Sequence, residues 1–119
     1  MTLHLTPTML RAAYSLIASS VPFTIRSWRV PPADEVEFHV TRNPNVEGTY
    51  ECKNGTHSLE ISDRCIGTSA HLLEVIAHEM IHLAQQVHKQ TTPNTEHNSD
   101  FRRRWADVAA IHGFDPKTL

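Results

Sequence analysis

Between Thr68 and Lys89 apolar residues recur at Leu72, Leu73, Ile76, Ala77, Met80, Ile81, Ala84 and Val87. That three-four spacing is the mark of a helix presenting one face to a core. Neither Gly nor Pro interrupts the run before Pro93, and Thr68 or Ser69, just after Gly67, supplies an N-cap. A second helix is expected from a Thr6 or Thr8 cap to about Ser19, with Met9, Leu10, Ala13, Leu16 and Ile17 as its buried stripe. A third is expected from an Asn98 or Ser99 cap to about His112, closed by Gly113. Phe101, Trp105, Val108, Ala109 and His112 share one of its faces, and Arg102, Arg103 and Arg104 lie mostly on the other.

The stretches between these helices alternate with period two. Val36–Val40 reads as a half-buried strand, and Thr49–Cys52 and His57–Ser62 as two more, joined by Asn54-Gly55, a strong hairpin signal. Phe23–Val30, ended by Pro31-Pro32, reads as a further strand or extended segment at a sheet edge. The expected fold class is therefore α+β. It comprises an N-terminal helix, a small, mostly antiparallel sheet of three to four strands, the long helix, and a C-terminal helix that returns against it.

With 119 residues, 39% hydrophobic and 20% charged, the chain is expected to form a single domain, 1–119, around one core. The formal charge of −2 gives no global electrostatic case for nucleic acid. The N-terminal stretch lacks a basic n-region and carries Arg11 within its apolar part, so it reads as an amphipathic helix and not a signal peptide. No segment approaches the roughly 18 apolar residues of a membrane span. A cytoplasmic setting is expected, with Cys52 and Cys65 as free thiols that lack the spacing of a zinc ribbon.

The long helix carries His78-Glu79-Met80-Ile81-His82, a H-E-x-x-H motif. Two imidazoles four residues apart face the same way and can share one Zn²⁺, with Glu79 placed to act on the attacking water. A catalytic zinc usually takes three protein ligands. His88 ends a longer metzincin-like pattern whose glycine is Gln85 here, so an unbroken helix carries it about 9 Å further along the axis. Glu96 offers a carboxylate from the turn. His97, beside the cap of the returning helix, needs no helix break and is favoured, with His88 and Glu96 as alternatives. His71 lies about 10 Å before His78, too far to share an ion. His4, His39, His57 and His112 read as surface or packing residues, with His57 able to face a cleft.

Gly48-Thr49-Tyr50, Leu59-Glu60-Ile61-Ser62, the H-E-x-x-H helix and His97-Asn98-Ser99-Asp100-Phe101 together resemble the SprT-like metalloprotease domain of the Spartan type. The resemblance covers about Val36 to Gly113. It implies a minimal zincin fold, with His97 as third ligand and Glu79 as catalytic base; the zinc ribbon that often follows the domain in this family is a feature this sequence is read as lacking. Asn98 departs from the family's usual glycine. The function so implied is a zinc-dependent metallopeptidase with one Zn²⁺ per chain, acting on protein or peptide substrates. The alternative is a non-catalytic zinc protein whose site is closed by Glu96 or His88. Tyr50, His57 and Arg104 are candidate oxyanion donors. Trp28, Arg26, Arg29, Arg102, Arg103 and Arg104 are candidate contacts to single-stranded DNA, since aromatic and basic residues alternate there.

Overall fold

Side-chain caps start each α-helix of this chain, whose computed structural model describes residues 4–118. Helix α1 (Pro7–Ala18) begins where the Thr6 hydroxyl accepts from the Met9 N–H at 3.2 Å. Helix α2 (Ser69–Val87) begins at Thr68, whose hydroxyl accepts from the His71 N–H at 3.0 Å. Helix α3 (Ser99–His112) begins at Asn98, whose Oδ1 accepts from the Phe101 N–H at 2.9 Å, and it ends at Gly113, left-handed at φ 81°. Each cap satisfies an N–H that the helix itself leaves without a partner.

Three strands separate α1 from α2: β1 (Val36–Thr41), β2 (Gly48–Lys53) and β3 (Thr56–Ser62). Asn54 and Gly55, with φ of 53° and 79°, turn β2 into β3 as the Asn-Gly pair requires. The strand order is β1-β3-β2, so β3 is central. β2 pairs with β3 antiparallel, whereas β1 pairs with it parallel, from Val36 opposite His57 to Thr41 opposite Ser62. The sheet is therefore mixed, which corrects the expectation of a mostly antiparallel one. The reason lies in the loop 42–47, which arches over the end of β3 to reach β2. Ser62 receives it, donating its hydroxyl to the Asn43 carbonyl at 2.6 Å and its N–H to the Glu47 carbonyl at 2.9 Å.

α2 packs against α1, β2, β3 and α3, so it is buried on most of its circumference. Val75 and Leu83 are buried along with most of the expected stripe, while Leu73 is half-buried and Val87 exposed. On α1 the stripe is Leu10, Ala13, Tyr14 and Ile17, and Leu16 is 62% exposed. Tyr14 takes the buried position because its hydroxyl has a partner, the Pro31 carbonyl at 2.6 Å, and its ring meets Phe38 edge-on. Phe23–Val30 is not a strand: it contains a 3₁₀ turn, Arg26–Trp28, with Phe23 and Trp28 buried edge to face. Those two rings earn more by burial in one core than by spreading along a sheet edge. Cys52 and Cys65 are not bonded to each other.

Gly48 opens β2 at a close approach. A Cβ there would stand 2.8 Å from Ile61 Cδ1 and 3.0 Å from Val75 Cγ1. Gly48→Ala should therefore destabilise the chain by roughly 1–3 kcal/mol, the usual cost of overpacking. Urea denaturation checks this, and an unchanged midpoint would show that β2 can move away from α2 freely.

Candidate metal centre

Helical spacing sets His78 and His82 one turn apart on the face of α2 that borders a cleft, with ring centroids 5.2 Å apart. The turn after α2 brings a third imidazole to them. His97 lies 5.0 Å from His78 and 5.3 Å from His82, centroid to centroid. One nitrogen from each of the three can be chosen so that all lie within 4.8 Å of one another. Phe101, in the first turn of α3, forms the bed of this cluster, stacked on His82 at 4.4 Å and on His97 at 4.5 Å.

The chemistry of the set fits a cation. Burial, then the neighbouring His97, lowers the His78 pKa to about 4. Burial, then His78 and His97, lowers that of His82 to about 3. Both rings are thus neutral near pH 7, as ligands must be. His57, His88 and His112 each bond through a ring nitrogen, to Tyr50, the Arg29 carbonyl and the Val21 carbonyl. Among the described residues no such protein bond engages His78, His82 or His97, whose nitrogens are left to one another.

The other candidate ligands stand elsewhere. α2 runs unbroken through Gln85, and His88 at its C-terminus is held by the Arg29 carbonyl at 2.9 Å. Glu96 is exposed on the cleft wall and outside the histidine cluster. His71 pairs with Glu47. Glu79 follows His78 into the cleft and is only 6% exposed. Burial, then the charges of Glu96 and Glu47, raises its pKa to about 8. A cation among the histidines would pull it back down.

The cleft, ≈ 590 Å³, lies between α2, the loop 91–97 and β2, which is an edge strand. Tyr50 lines it, with its hydroxyl 2.6 Å from Nδ1 of His57. Arg104 does not, which removes it as an oxyanion donor. It is 4% exposed, donating to Asp100 at 2.8 Å and to the Ser27 carbonyl at 3.1 Å, with its guanidinium over Trp28 at 4.8 Å. Trp28 is itself buried. Their mutual packing occupies both in the interior, whereas Arg26, Arg29, Arg102 and Arg103 are exposed.

The SprT-like family model matches residues 23–119. The chain belongs to the SprT-like family. Domains of that family are generally zincin-like metallopeptidases, and this SprT-like chain carries a histidine triad able to hold a metal ion. A search of the curated proteins and of the solved structures gives no match.

Beside the histidines of this SprT-like chain stands a buried polar residue that the sequence did not mark as part of the site. Gln85 is 1% exposed, and its Nε2 donates to Asn98 Oδ1 and Asp100 Oδ2, both at 2.9 Å. Its position four residues after Ile81, itself buried, was the available signal. Burial pushes Asp100 up, but hydrogen bonds from Gln85, Arg104 and Arg103 outweigh it and hold the carboxyl below its usual range.

Glu79 gives a pH-dependent test. Its pKa in the metal-free fold, about 8, lies above the ordinary 4.5. The stabilisation from holding that proton is complete below about pH 4.5 and is lost as pH rises through about 8. Glu79→Gln removes this loss. In chelator-treated protein the melting temperature of the variant should gain on wild type between about pH 5 and pH 8, by the equivalent of on the order of 3 kcal/mol. A gap independent of pH would mean that Glu79 is already ionised at the lower pH.

Proposed function

We propose that this chain is a zinc-dependent metallopeptidase in which His78, His82 and His97 hold the ion and Glu79 is the general base. The observation that carries the reading is the convergence of three imidazoles beside a buried carboxylate, at one side of a cleft bordered by an edge strand. Zinc so held would supply a Lewis acid for the scissile carbonyl and a water made acidic enough to attack near neutral pH. Glu79 takes the proton from the attacking water and delivers it to the departing amine. The low-dielectric setting that raises its proton affinity suits both steps. Gly48–Cys52 of β2 lie along the cleft, so an extended peptide can pair with that edge through main-chain bonds. The closed-site alternative loses one of its two fourth ligands, since His88 is held by Arg29.

The cleft also suggests a substrate class. Glu47, Glu51, Glu74 and Glu96 line it and its extension behind His78, and among the described residues no lysine or arginine does. Such a potential favours basic, unfolded protein segments. Wild type should bind one zinc and cleave an unfolded Lys/Arg-rich protein faster than an acidic one. Glu79→Gln should keep the metal and lose cleavage by about 10²–10⁴-fold, whereas His97→Ala should lose most of its zinc. Metal analysis and a peptide-release assay decide it; zinc-loaded wild type that cleaves neither protein would sink the peptidase reading.

Acting on nucleic-acid-associated proteins remains part of the proposal through a reduced surface. Arg104 ties the 26–29 turn to α3, so exposed Arg26 and Arg29 belong to the same packing unit as exposed Arg102 and Arg103. Single-stranded DNA should bind in a salt-sensitive way, and Arg102→Glu with Arg103→Glu should abolish binding. Absence of binding at low salt in a fluorescence anisotropy titration would remove this part.

A further inference from the structure

His97 reaches the site from the loop between α2 and α3, a placement less rigid than a helix. Its neighbours Thr91–Glu96 are exposed. Among the described residues no hydrogen bond to a ring nitrogen orients it, so its position depends on the Phe101 ring beneath and on what holds its backbone. The side chain of Asn98, the next residue, makes four hydrogen bonds among the described residues. Its Oδ1 accepts from the Phe101 N–H and from Gln85 Nε2, each at 2.9 Å. Its Nδ2 donates to the Gln90 carbonyl at 3.0 Å and to Thr92 Oγ1 at 3.2 Å. That is the full complement of a carboxamide, and a glycine at this position could make none of these side-chain bonds. Gln85 divides its two donors between Asn98 and Asp100, and thereby joins the last turn of α2 to the first turn of α3.

We infer that Gln85 and Asn98 form a clamp that positions His97 for the metal, an inference that rests on the metal site of the proposed function. Both are positioning residues, since neither belongs to the ligand cluster. The clamp fixes the peptide after His97 against two helices and the loop at once, so the imidazole need not be ordered when the ion arrives. Orienting groups of this kind commonly change metal affinity by 10–100-fold when removed.

The experiment is a chelator competition for zinc on the full chain, comparing wild type, Gln85→Met, Asn98→Ala and the double variant. Methionine keeps the length and helix preference of glutamine while removing both donors. Ile17→Val in the core of α1 serves as a control that lowers the melting temperature without touching the clamp. Each clamp variant should bind zinc about tenfold more weakly, and the double variant no more weakly than either single one, because one structure is broken in each case. The control should bind zinc like wild type. Should Asn98→Ala fail to fold, Asn98→Ser keeps the helix cap and loses the bonds to Gln90 and Thr92. Zinc affinities within twofold of wild type, or losses that multiply in the double variant, would overturn the clamp. If wild type takes up no zinc, the metal site itself fails; if it does and the variants match it, the clamp alone fails.

Discussion

The burial of α2 on most of its circumference is the constraint on which the rest of this chain depends. A helix packed against α1, the sheet and α3 cannot rotate or slide without misplacing Leu72, Ile76, Met80, Ile81 and Leu83, all buried in one core. His78 and His82 therefore inherit their direction from the core and do not need bonds of their own to hold it. The same packing forces Glu79 out of water, which is what raises its proton affinity. The stability of the fold and the burial of the site's side chains draw on the same contacts.

The cost of this arrangement is a polar seam between α2 and α3. Gln85, Asp100 and Arg104 are buried or half-buried, and each is satisfied by the next, ending in the stack of Arg104 on Trp28 and its bond to the Ser27 carbonyl. A seam of this kind is stable only when complete, because a lone buried donor or charge is costly. Completeness requires α3 to start at Asn98 and the 26–29 segment to lie against it. The segment before β1 thus takes part in placing the loop that carries His97, although it is remote from it in sequence.

Around the site the charges are of one sign. Carboxylates crowd the cleft, while exposed Arg26, Arg29, Arg102 and Arg103 sit on the 26–29 turn and α3. A formal charge of −2 conceals this separation. It gives the chain an acidic cleft and a basic patch, and only their placement, not their sum, bears on which partners each can meet.

Local rules were enough for much of the structure. The apolar spacing of α2, the caps at Thr6, Thr68 and Asn98, the Asn54-Gly55 turn and the left-handed Gly113 are all short-range consequences of residue type, and they appear where the sequence puts them. The pairing of His78 with His82 follows from helix periodicity, and His97 followed from the short return to α3. What the sequence could not decide were choices between distant segments. β1 pairs parallel to β3 because a loop crosses the strand end, which alternation alone does not encode. Leu16 lost its buried place to Tyr14 because a carbonyl at Pro31 was there to receive the hydroxyl. Trp28 and Arg104 looked like a binding surface along the chain and are an interior contact in space. The sequence by itself determined which elements form and which residues they present; tertiary structure decided which polar groups meet, because hydrogen bonds and charge contacts act over a few ångströms and their partners lie many residues away.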